Sequence, residues 1–193
     1  MKIAIINYGA GNIQSIRFAI ERLGYEALLT NDVETIKSAD KVIFPGVGEA
    51  SSAMKMLKET GLDKIIPTLT QPVLGICLGM QLMCKSTEEG NTEGLGIFDV
   101  DVVRFENIVK VPQIGWNQIK GLGSKIFNDI KEGAYMYLVH SYYAPVVKET
   151  IATTEYGVQY STALQKDNFY GLQFHPEKSS KDGEQILENF LSL

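Results

Sequence analysis

A chain of 193 residues, 45% hydrophobic and 21% charged, has the size of one domain with room for a substantial core, and its composition excludes an extended disordered or coiled-coil protein. The net charge of −5, with no Lys/Arg run and no interleaved aromatic platform, argues against a nucleic-acid partner. No apolar stretch approaches the length needed to cross a bilayer and the opening run Met1–Asn7 is too short for a signal sequence, so a cytoplasmic protein without membrane contact is expected.

The first apolar run, residues 2–7, reads as a strand. Ile13, Ile16, Ile20 and Leu23 then recur at helical spacing, and Gly24 sits where a helix closes. Gly9-Ala10-Gly11 invites a dinucleotide reading, but the third glycine of that fingerprint would fall at Gln14, so it fails. Residues 25–30 read as a second strand and 41–44 as a third, ending in Pro45-Gly46-Val47-Gly48 ahead of a helix at about 49–59. Glycines on both sides of Val47 make a permissive backbone at a strand end, where open α/β sheets bind ligands. A helical piece at 62–69 returns the chain to a strand at Val73-Leu74. Strands and helices alternating in this way predict a parallel sheet covered on both faces.

That strand runs into Gly75-Ile76-Cys77-Leu78-Gly79-Met80-Gln81. A cysteine at an abrupt strand-to-helix turn, with glycines two places before and two after, fits a nucleophile elbow that presents the thiol. Amide N–H groups at the start of the following helix favour a thiolate and can receive an oxyanion. Cys77 and Cys84 are seven apart on what looks like one helix, so neither a disulfide nor a CxxC pair is expected, and Cys84 reads as core. With only two histidines, His140 and His175, the chain lacks a zinc ligand set, and neither a metal nor another cofactor is expected.

After about Gly90 the texture changes to short segments rich in β-branched and aromatic residues. Strands are expected at 100–105, 116–120, 135–139, 150–154, 158–165 and 169–173, followed by an amphipathic helix at 180–191. There is no linker or repeat, so residues 1–193 are expected to share one compact domain.

A cysteine amidase needs a base at the sulfur and a third group that fixes the base's tautomer. His175-Pro176-Glu177 offers both, because a residue before proline is extended and the two side chains can then point the same way. His140 has no acidic residue within several positions and reads as a pocket wall.

Gly75-x-Cys77-x-Gly79-x-Gln81, the Pro45–Gly48 loop and His175-Pro176-Glu177, in this order and spacing, resemble the class I (triad-type) glutamine amidotransferases. Asn7-Tyr8-Gly9-Ala10-Gly11-Asn12, Gly115-Trp116-Asn117, His140-Ser141-Tyr142 and His175 to Ser179 are, further, similar to the glutaminase subunits of imidazole glycerol phosphate synthases, nearly end to end. The resemblance implies an α/β fold with a central, largely parallel sheet flanked by helices and additional antiparallel strands in the second half. It implies hydrolysis of glutamine to glutamate and ammonia through a thioester, with Cys77 as nucleophile, His175 as acid and base, and Glu177 orienting His175. Backbone N–H groups of Leu78 and of the Val47–Gly48 stretch would receive the oxyanion. Gln81, Glu89, His140, Ser141 and Tyr142 would hold glutamine, Glu89 by its charge toward the α-ammonium.

No site for an ammonia acceptor is visible, and ammonia released into water would be protonated, so a partner must receive it through a sheltered passage. By resemblance that partner is an obligate cyclase subunit, a (β/α)8 barrel making imidazole glycerol phosphate and an aminoimidazole carboxamide ribonucleotide in histidine biosynthesis. Asn12, Pro112, Gln113 and Trp116 match interface positions in such heterodimers, although Trp116 read alone favours the core. The Val47 peptide is a candidate switch that turns its N–H into the oxyanion hole when the synthase is loaded. Two alternatives stand beside this reading: a stand-alone Cys–His hydrolase, and a related glutaminase feeding a different ammonia-dependent synthase.

Overall fold

The computed structural model describes residues 1–9, 13–106 and 108–193. In chain order the elements are β1 (Ile3–Ile6), α1 (Ile13–Arg22), β2 (Ala27–Thr30), α2 (Val33–Lys37), β3 (Lys41–Gly46), α3 (Ala50–Thr60), α4 (Leu62–Ile65), β4 (Val73–Cys77), α5 (Leu78–Met83) and β5 (Cys84–Thr87). There follow β6 (Thr92–Glu93), β7 (Phe98–Arg104), β8 (Gln113–Gln118), β9 (Tyr135–His140), β10 (Tyr142–Tyr143), β11 (Thr150–Glu155), β12 (Gln159–Lys166), β13 (Phe169–Leu172) and α6 (Ser180–Leu191).

Seven strands form the central sheet in the order β11-β12-β13-β4-β3-β1-β2. The five from β13 to β2 are parallel, and β12 and β11 are added antiparallel at one edge. Successive residues of the central strands serve opposite faces, as a pleated strand requires. Ala4, Ile6, Val42, Phe44 and Val73 pack with α3 and α5, whereas Ile3, Ile5, Ile43, Leu74 and Ile76 pack with α1, α6 and β9. Burial on both faces explains why these segments read as unbroken apolar runs. The register pairs Gly46 with Cys77 and Leu172 with Ile76, so the carboxyl ends of β3, β4 and β13 lie side by side.

The fold is the α/β arrangement expected, with three departures. Cys77 and Cys84 do not share a helix, since α5 has six residues and Cys84 opens β5, paired with Phe98. Every residue of α5 is buried, so no polar face marks its end in the sequence. The helical piece at 62–69 divides into α4 and a 3-10 turn, Ile66–Thr68, at Pro67, which has no N–H to continue an α-helix. The short elements α2, β5, β6 and β10 were not anticipated; β5, β6, β7 and β10 make a second, four-stranded sheet, and β8 pairs with β9 as a hairpin. Among the described residues no helix is long and apolar enough to cross a membrane.

Candidate active site

Cys77 is the last residue of β4 and the cap of α5, with φ 54° and ψ −112°. Such a backbone is strained for any residue with a Cβ and persists only where its surroundings impose it. They do so through glycines. A Cβ on Gly79 would lie 1.9 Å from the Phe44 carbonyl oxygen, and one on Gly46 would lie 2.7 Å from the Gly79 nitrogen. The first turn of α5 therefore sits directly on the end of β3. This contact points Cys77 out of the sheet's carboxyl edge while leaving it only 8% exposed.

His175 follows β13 on an extended backbone, φ −96° and ψ 97°, its N–H donating to the Tyr137 carbonyl at 2.9 Å. Its Nδ1 lies 2.8 Å from Glu177 Oε1, and both side chains are almost wholly buried. The two meet because Pro176–Lys178 forms a 3-10 turn that curls Glu177 back, rather than through strand alternation. The carboxylate only accepts, so Nδ1 carries a proton and Nε2 is left for the sulfur. Burial alone would lower the basicity of His175, but hydrogen bonds and charge from Cys77 and Glu177 outweigh it and raise the pKa well above the usual value. His175 is thereby equipped to accept a proton.

A cavity of about 360 Å³ opens over Cys77 and His175. Val47, Gly48 and Leu78 line it, as do Gln81, Glu89, His140, Ser141 and Tyr142, so every residue expected to hold glutamine or the oxyanion borders one space. Gly48 has φ 98°, a conformation other residues rarely adopt. One Glu89 oxygen accepts from the Ala50 N–H at 2.9 Å, and burial raises its pKa. Gln81 commits its amide hydrogens to the Tyr142 carbonyl at 3.0 Å and to Gln173 Oε1 at 2.8 Å, leaving its own oxygen to face a ligand. His140 is held by the Tyr142 carbonyl (2.7 Å) and the Tyr160 hydroxyl (3.2 Å), and burial depresses its pKa to about 4. It is a neutral wall.

Of the expected interface residues, Pro112 borders the cavity, and Trp116 is 52% exposed, edge-on to Tyr137, so it is not core. Gln113 is buried, its side-chain oxygen accepting from the Tyr160 hydroxyl at 3.0 Å. Asn12 lies outside the described residues. Sequence reasoning missed Gln173, wholly buried behind the sulfur, and Tyr8, whose hydroxyl donates to the Pro45 carbonyl at 3.0 Å under the loop. Among the described residues no group of three or more His, Cys, Asp or Glu side chains is placed to hold a metal ion. Cys84 is buried, and burial raises its thiol pKa, which makes it inert.

A model of the glutamine amidotransferase class-I family matches residues 4–193. The imidazole glycerol phosphate synthase subunit HisH of Bacteroides fragilis is 57% identical over the whole of both chains, and that of Pectobacterium atrosepticum is 46% identical, again over the whole of both. Among solved structures, a glutamine amidotransferase superposes with a TM-score of 0.76 at 17% identity, covering 98% of this chain and 97% of its own. PurLQS from Thermotoga maritima gives 0.73 at 16% identity, covering 99% and 97%; at such identities the likeness speaks for the fold.

Proposed function

The chain belongs to the glutamine amidotransferase class-I family, and from that premise we propose that it is the glutaminase subunit of an imidazole glycerol phosphate synthase, acting in histidine biosynthesis. The observation that carries the chemistry is a buried imidazole, His175, held by the Glu177 carboxylate at 2.8 Å and bordering, together with Cys77, one cavity sized for an amino acid. Glutamine enters with its α-ammonium toward Glu89 and the Gln81 oxygen. His175 takes the thiol proton as sulfur attacks the side-chain carboxamide, and the tetrahedral oxyanion is received by the Leu78 N–H and one from the Val47–Gly48 stretch. His175 returns that proton to the leaving nitrogen, ammonia departs, and a glutamyl thioester remains. Water, deprotonated by His175, then cleaves the thioester, releasing glutamate and restoring the thiol. No cofactor takes part.

Ammonia is a nucleophile only unprotonated, so the reading includes a cyclase partner, a (β/α)8 barrel, docked over the cavity mouth. Exposed Ile114 and Trp116 on one face of β8, next to Pro112 at the cavity rim, support an apolar contact there. Residues 1–193 act as one amidotransferase domain, supported by a central sheet that draws strands from both halves of the chain, and the protein works in the cytoplasm. The test is glutamine hydrolysis with and without the histidine-pathway cyclase and its nucleotide substrate. Stimulation of the native chain, lost in Cys77→Ala and His175→Ala, is the expected result; activity that persists in Cys77→Ala, or that the loaded cyclase never stimulates, would overturn the reading.

A further inference from the structure

The sulfur of Cys77 has a neighbour that no step above uses. Gln173 is completely buried, does not border the cavity and so cannot touch glutamine, yet its Nε2 lies 3.8 Å from Cys77 Sγ. Its side-chain orientation is dictated by a chain of partners. The Tyr142 carbonyl can only accept, so Gln81 must turn its NH2 toward it. That same NH2 faces Gln173 at 2.8 Å, so Gln173 must present its oxygen there. Its NH2 is then left pointing at the sulfur. The backbone is held as firmly, for the Gln173 N–H donates to the Thr162 carbonyl at 2.9 Å, two residues before His175 is tied to Tyr137.

On the opposite account, the neutral thiol has its own acceptor, the Val139 carbonyl, 3.8 Å away. A carbonyl stabilises S–H and repels a thiolate, whereas an amide N–H stabilises a thiolate and gains little from S–H. Each protonation state of the sulfur thus has a dedicated partner.

We propose that Gln173 is a further residue of the reaction, a buried donor that stabilises the Cys77 thiolate from behind while His175 takes the proton in front. The Gln81 bond keeps the donor aimed, so the residue that faces the substrate also holds the sulfur's activator in place. This inference rests on Cys77 being the nucleophile, but its test reads the sulfur itself and needs no glutamine.

The experiment compares the rate of iodoacetamide alkylation against pH for the native chain, Gln173→Met and Gln81→Met, with Cys77→Ala as the blank for Cys84. Methionine keeps the volume and removes the donor. A hydrogen bond to a charged group is roughly twice as strong as a neutral one, so its loss should move the alkylation midpoint up by about one pH unit in Gln173→Met. Glutamine turnover should fall about tenfold in kcat with KM within about twofold, since the substrate contacts are intact. Gln81→Met, which frees the Gln173 amide to rotate, should move the midpoint in the same direction. A Gln173→Met profile that coincides with the native one overturns the proposal; should that variant fail to fold, an unmoved Gln81→Met profile does so. If the alkylation shift appears in a chain that hydrolyses no glutamine even with the loaded cyclase, the inference stands and the proposed function falls.

Discussion

Replacing Gly79 by alanine puts the elbow geometry to a direct test. The new Cβ would lie 1.9 Å from the Phe44 carbonyl oxygen and 3.3 Å from the Pro45 carbonyl carbon. Phe44 is backbone in a strand paired on both sides, by β1 and β4, so the yielding partner cannot be a flexible side chain. Ordinary contact requires α5 and β3 to separate by about 1.5 Å, and overpacking of this kind in a fully buried layer costs about 3 kcal/mol. For a chain of this length that is a fall of roughly 6–12 °C in melting temperature. The same displacement carries Cys77 away from His175, and a misplacement of about 1 Å lowers turnover roughly a hundredfold. Gly123→Ala is the control, because its nearest neighbour would lie 3.8 Å away and its backbone is ordinary. Thermal melting and glutamine hydrolysis, both with the loaded partner present, read the two effects. A Gly79→Ala chain that melts within about 2 °C of the native one and keeps half its turnover would refute the claim that this close approach builds the elbow.

Other expectations follow from the same geometry. His140 is buried neutral with a pKa near 4, so below its unfolded value of 6.5 only the unfolded chain takes up its proton. Its contribution is complete above pH 6.5 and lost as the pH falls toward 4, about 3 kcal/mol in all, and melting curves across this range should flatten in His140→Gln. Glu89, with its pKa raised by burial, opposes this trend in the lower part of the range. Glu177→Gln removes a charge that raises the basicity of His175, so the acid limb of the turnover profile should move down in pH while kcat falls roughly a hundredfold. Gly48→Ala meets no neighbour but is strained at φ 98°, so kcat should fall while the melting temperature drops by only about 2–4 °C. Trp116→Ala should leave the isolated chain's melting unchanged and weaken cyclase binding by about 2 kcal/mol in calorimetry.

Much of the site is legible in the sequence because its determinants are local. The spacing of Gly75, Cys77 and Gly79 encodes a turn that only small residues permit, and His175 and Glu177 are two residues apart, so one short turn suffices to join them. What misled was context. Trp116 is large and unique, which favours a core reading, yet it stands half-exposed on a two-stranded hairpin. The inward turn of Gln113 to Tyr160 has no local signal either. The length of α5 could not be read, since a helix buried on every side carries no periodic signal.

The sequence by itself determined the apolar strands, the glycine-flanked nucleophile and the adjacent histidine and glutamate, because each depends on neighbours within a few residues. The tertiary structure alone decided what surrounds the sulfur. Gln81 finds Tyr142 and Gln173 at separations of 61 and 92 residues, and Gln173 finds Cys77 at 96. The direction in which a buried amide points is set by the partners that the folded sheet brings to it. No local pattern records those partners, and so the donor behind the thiolate emerges only when β4 and β13 lie side by side.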